Sequence, residues 1–393
     1  MRPKLQPNPT IERLERELES LESGSLYRRL EPFESAGGFC FCSNDYLGLS
    51  RHPALGQAVR AALEGSDRVS STGSRLLSGH VAAWSALEKG FAAWVGTEDS
   101  LFFGSGYAAN MGLLAAIARD ADTVYSDAAN HASLIDGVRL SGCRKVVFPH
   151  LDLTFLEDAL RRDGGSRGER FIVVESIYSM DGDMAPIGDL AQLADRYGAG
   201  LIVDEAHATG VVGGEGRGAI PQHIRESGLF VASIHTAGKA LAASGAFVAG
   251  SRTLKEFLIN RARTFIFSTA LPPYLAAQVA AGIRLAARAE DRRAVLAANA
   301  RRLRTRLREA GFDTGRSVSQ IVPVLLGSNE EALATAAWLQ SEGFRVRAIR
   351  PPTVPEGTSR LRLSVTADLT PETADRLIDA LIDSRIDARK GPR

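Results

Sequence analysis

Short apolar runs alternate with amphipathic helical stretches from about residue 100 to residue 250, and this alternation constrains the fold more than any other feature. Continuous apolar runs are typical of strands that are buried on both faces, and the helices between them cover those faces. The pattern therefore predicts a mostly parallel sheet. No full helix separates the last two runs, so we expect that pair to be antiparallel. The predicted strands are SLFFGSG, TVYSD, RKVVFPH, FIVVES, GLIVDEAH, LFVASIH and GAFVAG.

A long helical region follows this block, and the pattern beyond it is that of a small α+β domain. The chain has 393 residues, which exceeds the roughly 250–300 residues at which a single core stops growing. We therefore predict three parts. These are an N-terminal helix and arm over residues 1–50, a large domain over 51–285 that holds the central sheet, and a small C-terminal α+β domain over 286–393.

The charge balance argues against several classes of partner. The chain has 47 basic and 46 acidic side chains and a net charge of +1, so nothing predicts binding to nucleic acid or to an anionic membrane. No apolar run approaches the ~18 residues of a membrane helix, and the N-terminal segment lacks the apolar core of a signal peptide. Three cysteines are too few, and odd in number, to indicate a disulfide framework or a four-ligand zinc site. We expect a cytoplasmic protein without a metal.

A glycine-rich turn, Gly104-Ser105-Gly106-Tyr107, joins the first of these strands to a helix predicted to begin near Ala108. The N-terminus of a helix offers free N–H groups and the positive end of its dipole to an anion. Ala109 stands where the dinucleotide fingerprint requires a third glycine. The turn therefore predicts a phosphate rather than a dinucleotide, and an ordinary strand-to-helix turn is the alternative.

Asp204 and His207 lie at the end of a strand that should be buried. A carboxylate in that position is costly unless a cation pairs with it. The letters DEAH also occur in the acidic box of certain helicases, but that interpretation requires a phosphate loop ending in Gly-Lys-Ser or Gly-Lys-Thr. The Gly238-Lys239 pair is followed by alanine. An ATPase is therefore excluded, and an aspartate that caps a loop remains the alternative.

Lys239 is one of only six lysines, and it lies among glycine and alanine with no acidic residue nearby. Such a lysine can be desolvated, which lowers its pKa and makes the amine a nucleophile for a carbonyl group. Pyridoxal phosphate needs a lysine for its aldehyde, a helix N-terminus for its phosphate and a carboxylate for its ring nitrogen. Lys239, the glycine-rich turn and Asp204 supply these three groups. His131 follows another strand and could stack on the ring, or it could simply cap a helix.

Eight sequence blocks, in order between Phe39 and Thr366, resemble those of the α-oxoamine synthases. These enzymes have the aspartate aminotransferase-like α/β fold (fold type I) and use pyridoxal phosphate to condense an amino acid with an acyl thioester, releasing carbon dioxide. The blocks are SNDYLGLS, FFGSGYAAN, NHASL, ESIYSMDGDMAP, VDEAHATG, GKALAASGA, FIFSTALPP and AIRPPTVPEGTSRLRLS.

This resemblance implies that Lys239 binds the cofactor aldehyde and removes the substrate's α-proton. It implies that Asp204 pairs with the ring nitrogen and that His131 stacks on the ring. The whole set implied for the cofactor is Lys239, Gly106, Tyr107, His131, Ser179, Asp204, His207, Thr236, Ser268 and Thr269. The last two are implied to reach the phosphate of the other subunit, which predicts a homodimer.

The resemblance also implies five substrate-binding residues, and three of them are arginines. Arg362 matches the residue that binds the amino acid carboxylate, and strand alternation places Arg360 on the same face, so the two assignments could exchange. The full set is Arg362, Arg360, Thr353, Asn44 and Arg28.

The block at 348–364 most resembles members that condense L-alanine with a pimeloyl thioester in biotin biosynthesis. A related synthase that uses glycine or serine with another acyl-CoA is the first alternative. A silent scaffold protein and a nicotinamide-dependent dehydrogenase are more distant alternatives. The sequence leaves open whether coenzyme A or a carrier protein delivers the acyl group.

Overall fold

The computed structural model describes residues 8–30, 38–164 and 168–390, the last four of these by their backbone alone. Residues 1–7 and 31–37 of the predicted N-terminal arm therefore lie outside the described residues. None of the described helices is long and apolar enough to span a membrane.

The bounds of the elements are as follows. The helices of the described residues are α1 (Pro9–Ser23), α2 (Pro53–Glu64), α3 (Ala82–Val95), α4 (Gly106–Ile117), α5 (Ala132–Ser141), α6 (Leu153–Arg162), α7 (Ile187–Tyr197), α8 (Gln222–Arg225), α9 (Arg252–Arg261), α10 (Arg263–Ile266), α11 (Tyr274–Ala287), α12 (Glu290–Glu309), α13 (Asn329–Ser341) and α14 (Pro371–Lys390). The strands are β1 (Phe39–Cys40), β2 (Asp99–Phe103), β3 (Thr123–Asp127), β4 (Arg144–Phe148), β5 (Arg170–Glu175), β6 (Gly200–Asp204), β7 (Phe230–Thr236), β8 (Ala246–Gly250), β9 (Ile321–Gly327), β10 (Phe344–Arg345), β11 (Ala348–Ile349) and β12 (Ser359–Ser364).

The apolar runs of the first half form one central sheet. Within the described residues its strand order is β2-β8-β7-β6-β5-β3-β4. All neighbours are parallel except β8, which is antiparallel to both β7 and β2. The mostly parallel sheet and the antiparallel pair are therefore confirmed. Because β7 and β8 are joined by nine residues without a helix, the chain has no crossover and must reverse direction.

Aromatic side chains fill the space between this sheet and α3. Phe91 stacks on Phe247 of β8 with ring centroids 3.8 Å apart, and Trp84 stacks on Phe102 of β2 at 5.2 Å. All four side chains are buried. The helix presents its large apolar residues at intervals of three and four positions, which places them on the face that meets the sheet.

Helices α4 and α5 cover the opposite face of the sheet and lie close together. An added Cβ at Gly137 of α5 would come within 3.0 Å of the Asn110 carbonyl oxygen of α4. This close approach explains the glycine, because a larger residue would push the two helices apart.

The C-terminal part contains the antiparallel sheet β11-β12-β9 together with α12, α13 and α14. The segment before α2 also belongs to this part of the molecule. β1 pairs with β10 in parallel, and backbone N–H groups of Ser364 and Ala367 donate to the carbonyl oxygens of Phe41 and Tyr46 at 2.8 Å. The segment that holds Asn44 is thereby placed beside the end of β12. The predicted boundary near residue 285 falls at the end of α11, and the division into domains stays a prediction.

Candidate active site

The carboxyl ends of the parallel strands bring together most of the residues that the sequence singled out. Asp204 is the last residue of β6, Thr236 is the last of β7, and Lys239 follows three positions later. His131 precedes α5, in the connection after β3, and Gly106 begins α4. This is the edge at which open parallel sheets bind ligands.

The amine of Lys239 lies 2.7 Å from Nε2 of His207. Desolvation lowers the pKa of Lys239 to about 8, although the nearby carboxylates of Asp204 and Glu175 oppose this effect. Lys239 as a whole is half-buried. Nδ1 of His207 lies 2.6 Å from the hydroxyl of Tyr46. Burial also lowers the pKa of His207, so its ring is neutral beside the amine.

Asp204 is buried, and its carboxylate accepts hydrogen bonds from two donors. Its Oδ2 accepts a hydrogen bond from Nδ2 of Asn110 at 2.7 Å, and its Oδ1 accepts one from the N–H of Ala206 at 2.8 Å. Glu175 is its direct neighbour on β5. Burial and the charge of Asp204 raise the pKa of Glu175 to about 8. The carboxyl group of Glu175 is therefore harder to ionise than that of an exposed glutamate.

The glycine-rich turn forms the predicted helix N-terminus. Helix α4 begins at Gly106, two residues earlier than expected, because Ser105 is its N-cap and its Oγ accepts from the N–H of Ala108 at 3.1 Å. An added Cβ at Gly106 would meet only Thr236, at 4.0 Å, and one at Gly104 would meet nothing within 4 Å. The space before the helix is therefore open and is bounded by the Thr236 hydroxyl.

Ser268 and Thr269 lie near this helix N-terminus within one chain. They line a cavity of about 230 Å³ together with Gly104 and Ser105. The hydroxyl of Tyr107 donates to the Asp136 carboxylate on α5. Which subunit's phosphate Ser268 and Thr269 reach stays a prediction.

His131 is the N-cap of α5, and its Nδ1 accepts from the N–H of Ser133 at 3.2 Å. The capping interpretation is therefore correct. Its ring meets Tyr107 edge to face, with centroids 6.2 Å apart, and burial lowers its pKa. Capping holds the ring close enough to Asp204 and Lys239 for both charges to act on its pKa, and stacking on a cofactor stays a prediction.

The two candidate arginines have different partners. Arg362 donates from Nε to the carbonyl oxygen of Ser179 at 2.6 Å and from Nη1 to Oδ1 of Asn44 at 3.2 Å. Arg360 donates to the Asp181 carboxylate at 2.6 Å. Arg362 thus lies with Ser179 and Asn44, whereas the charge of Arg360 is already paired.

Arg28 and Thr353 form a separate group at the loop that follows β11. Nη2 of Arg28 donates to the carbonyl oxygen of Pro351 at 3.3 Å, and the N–H of Thr353 donates to the carbonyl oxygen of Arg350 at 3.1 Å. Arg28 thus contacts the loop that contains Thr353, and the roles of both residues stay predictions.

Sequence reasoning missed Asn110, Tyr46 and Glu175. Asn110 had a signal, since it is the one polar side chain in the helical stretch ANMGLLAAIA. No sequence signal pointed to Tyr46, because its partner His207 is 161 positions away. Glu175 ends a predicted strand just as Asp204 does, and the same argument about buried carboxylates would have found it.

These groups fit pyridoxal phosphate. An amine of lowered pKa, a buried carboxylate and an open helix N-terminus lie at one sheet edge, and these are the three groups that the cofactor needs. Among the described residues, no cluster of histidine, cysteine, aspartate and glutamate could hold a metal ion.

The fold and the site together define a class, the pyridoxal phosphate-dependent enzymes with an aspartate aminotransferase-like fold. The family model for class I and II aminotransferases matches residues 37–381. Serine palmitoyltransferase of Sphingomonas wittichii superposes with a TM-score of 0.89 and 28% identity, covering 99% of this chain and 100% of that one. Fold type I and the cofactor are therefore confirmed.

Two of the curated relatives are more similar in sequence. The 8-amino-7-oxononanoate synthase of Trichlorobacter lovleyi is 42% identical, covering 94% of this chain and 96% of the relative. That of Anaeromyxobacter dehalogenans is 45% identical, covering 89% and 90%. The solved 8-amino-7-oxononanoate synthase of Francisella tularensis superposes with a TM-score of 0.76 and 26% identity, covering 90% and 99%. The chain belongs to the 8-amino-7-oxononanoate synthase family within the α-oxoamine synthases, as the sequence blocks predicted.

The lowered pKa of Lys239 predicts how the cofactor-free protein takes up pyridoxal phosphate. Only a neutral amine attacks an aldehyde, so the uptake rate should rise between about pH 7 and pH 9 instead of near 10.5, the ordinary value. Stopped-flow absorbance across this range measures the midpoint. Asp204→Asn removes a charge that raises the lysine pKa, so it should move the midpoint to lower pH. A midpoint above pH 10 in the unmodified protein would contradict the assignment.

Proposed function

We propose that this chain condenses L-alanine with a pimeloyl thioester to give 8-amino-7-oxononanoate, a free thiol and carbon dioxide, as an acyltransferase of biotin biosynthesis. The observation that carries the proposal is the buried amine of Lys239 at the sheet edge that also holds Asp204, close enough to Asp204 and Arg362 for both charges to act on its pKa. Identities of 42% and 45% to 8-amino-7-oxononanoate synthases over about nine-tenths of the chain support the choice of reaction.

Lys239, Asp204 and the helix N-terminus hold the cofactor in this proposal. Pyridoxal phosphate, when bound, supplies an aldehyde for the amine and an electron-poor ring that stabilises negative charge on the α-carbon. Asp204 keeps the ring nitrogen protonated, and Asn110 keeps the carboxylate in place. The N–H groups of Gly106 and Tyr107, with the Thr236 hydroxyl, hold the phosphate.

Lys239 also moves the α-proton in this proposal. Its amine has a pKa near 8, so it can accept a proton and release it again at neutral pH. His207 is neutral and lies 2.7 Å away. It therefore orients the amine without adding a competing charge.

Arg362 binds the carboxylate of L-alanine, with Asn44 and the Ser179 carbonyl fixing the guanidinium. Holding the carboxylate orients the bonds at the α-carbon relative to the cofactor, and orientation of this kind supplies much of the rate. Arg28 and Thr353 contact the acyl substrate at the loop after β11.

We also propose a homodimer that works in the cytoplasm. Exposed apolar side chains support this proposal, because Leu77 is 84% exposed and Phe267, beside Ser268, is 70% exposed. The bridge between Ser74 and Thr269 brings the two segments together, and a contiguous exposed apolar patch commonly marks an interface. The partner subunit would then complete the phosphate end of the site through Ser268 and Thr269.

Steady-state assays test the function. Purified protein is given L-alanine, glycine or L-serine with pimeloyl-CoA or palmitoyl-CoA, and each product is identified by mass spectrometry. We expect kcat/KM to be highest for L-alanine with pimeloyl-CoA. Turnover with glycine alone, or with L-serine and palmitoyl-CoA alone, would overturn the alanine assignment in favour of a related synthase.

A further inference from the structure

We propose that His150, held between Asp127 and Asp183, is a positioning residue that keeps the hairpin 176–185 in the place where it aligns Arg362 for the substrate carboxylate. The inference rests on the proposed function, in which Arg362 binds that carboxylate. Residue 150 lies outside every sequence block that pointed to the cofactor or the substrates.

The imidazole of His150 joins two carboxylates from different parts of the chain. Its Nδ1 lies 2.8 Å from Oδ1 of Asp127, the last residue of β3, and its Nε2 lies 2.9 Å from Oδ2 of Asp183. The side chains of Asp127 and Asp183 are 0% and 6% exposed, and that of His150 is 25% exposed. The N–H of Leu151 also donates to Asp127 at 2.9 Å. The central sheet is thus tied to the base of the hairpin.

The charges of His150, Asp127 and Asp183 favour keeping the three side chains together. Burial alone would lower the pKa of His150, but the hydrogen bonds and charges of Asp127 and Asp183 outweigh burial and raise it to about 10. The ring is therefore cationic at neutral pH and balances two buried carboxylates. Without it the two negative charges would repel one another, and the hairpin would move to let water reach them.

The hairpin itself is short and tightly bonded. The N–H of Tyr178 donates to the carbonyl oxygen of Asp183 at 3.1 Å, and the N–H of Gly182 donates to that of Tyr178 at 2.9 Å. The ring of Tyr178 meets His150 edge to face, with centroids 4.4 Å apart. These bonds make residues 178–183 move as one unit, so a shift at Asp183 is transmitted to Ser179.

The tip of the hairpin contacts the strand that carries both arginines. Ser179 accepts from Arg362, and Asp181 accepts from Arg360. The carbonyl oxygen of Gly182 accepts from the N–H groups of Val318 and Ser319 at 3.0 and 3.1 Å. An added Cβ at Gly182 would lie 2.0 Å from the carbonyl oxygen of Ile321. The tip is therefore packed against β9, which pairs with the strand β12 that carries Arg362, so we infer that a shift of the tip also displaces the Ser179 carbonyl from Arg362.

The test compares KM values in the holoenzyme. His150→Gln keeps a hydrogen-bonding side chain but loses the positive charge, and we expect the KM for L-alanine to rise roughly 10- to 100-fold, as displaced substrate-binding groups commonly cause. The KM for pimeloyl-CoA and the cofactor absorbance should stay unchanged. His223→Gln, at an exposed position on α8, is the matched control and should leave all of these values unchanged.

A double-mutant cycle separates positioning from a general loss of structure. If His150 acts through Arg362, His150→Gln should add little to the alanine KM of Arg362→Lys. Additive effects, a wild-type KM for alanine, or an equal rise in both KM values would overturn the proposal. Asp183→Asn provides the same comparison if His150→Gln does not fold.

The experiment distinguishes a failure of the positioning role from a failure of the proposed function. If the unmodified enzyme does not use L-alanine, the cycle is run with the amino acid that changes the cofactor absorbance most strongly, because Arg362 would bind its carboxylate in the same way. A wild-type response of His150→Gln to that amino acid would then overturn the positioning role by itself.

Discussion

Replacing Lys239 by alanine is expected to lower kcat by roughly 10³-fold or more, since removing a group that transfers the proton alone commonly costs 10²–10⁴-fold and this amine also binds the cofactor. No other lysine is assigned to the sheet edge. The cofactor of the variant should be removed by gel filtration, whereas that of the unmodified protein should remain. Activity and the retained visible absorbance measure the two effects separately.

Two controls accompany this variant. Lys145→Ala removes an exposed lysine on β4 and should leave kcat and cofactor retention unchanged. Lys239→Arg keeps a positive charge but cannot attack an aldehyde at neutral pH, so it should be as inactive as the alanine variant. More than a tenth of the unmodified activity in Lys239→Ala would refute the assignment of the amine.

Replacing Arg362 by lysine is expected to lower kcat/KM for L-alanine by roughly 10²–10³-fold, because the variant keeps the charge but loses the forked hydrogen bonds of the guanidinium, and a hydrogen bond to a charged group contributes about 1.5–3 kcal/mol. A lysine cannot present two parallel donors to a carboxylate, and it cannot keep the bonds to both Ser179 and Asn44. Steady-state kinetics with varied L-alanine and saturating pimeloyl-CoA measure this loss.

Arg360→Lys is the matched control on the same strand face. Arg360 is paired with Asp181, and lysine can keep an ion pair there, so we expect a loss of less than tenfold. If Arg360→Lys is the more damaging of the two variants, the carboxylate is bound by Arg360 and the assignment of Arg362 is wrong.

The fold followed from the sequence because its signal is local. Most strands of the central sheet contain a short apolar run, and the absence of a helical pattern between β7 and β8 is visible in the sequence. The carboxyl edge followed from the same argument, so Asp204 and Lys239 could be placed together. The chemistry of these two side chains then restricted the choice of cofactor, and the eight sequence blocks identified the family.

The supporting contacts could not be predicted, because they join residues that are far apart in sequence. Tyr46 reaches His207 across 161 positions, and Asn110 reaches Asp204 across 94. His150 resembles any polar residue after a strand until the fold brings Asp127 and Asp183 to its two nitrogens. The distinction between Arg360 and Arg362 also required the structure, since alternation places both on one face and only their partners differ.

Sequence identity supports the proposed substrate more strongly than the similarity of the overall fold does. A serine palmitoyltransferase superposes with a TM-score of 0.89 and an 8-amino-7-oxononanoate synthase with one of 0.76. Both similarities are below 30% identity, whereas the curated 8-amino-7-oxononanoate synthases reach 42% and 45%. A shared fold supports many substrates, so we propose that the residues around Arg362 and the loop after β11 select the substrate.

The visible spectrum of the purified holoenzyme, recorded during separate titrations with L-alanine, glycine and L-serine, tests the proposed site most directly. We expect a saturable change in the cofactor absorbance at the lowest concentration with L-alanine, and a much weaker response in Arg362→Lys. A protein that responds best to glycine or L-serine, or that responds equally with and without Arg362, would contradict the proposed recognition of alanine by this site.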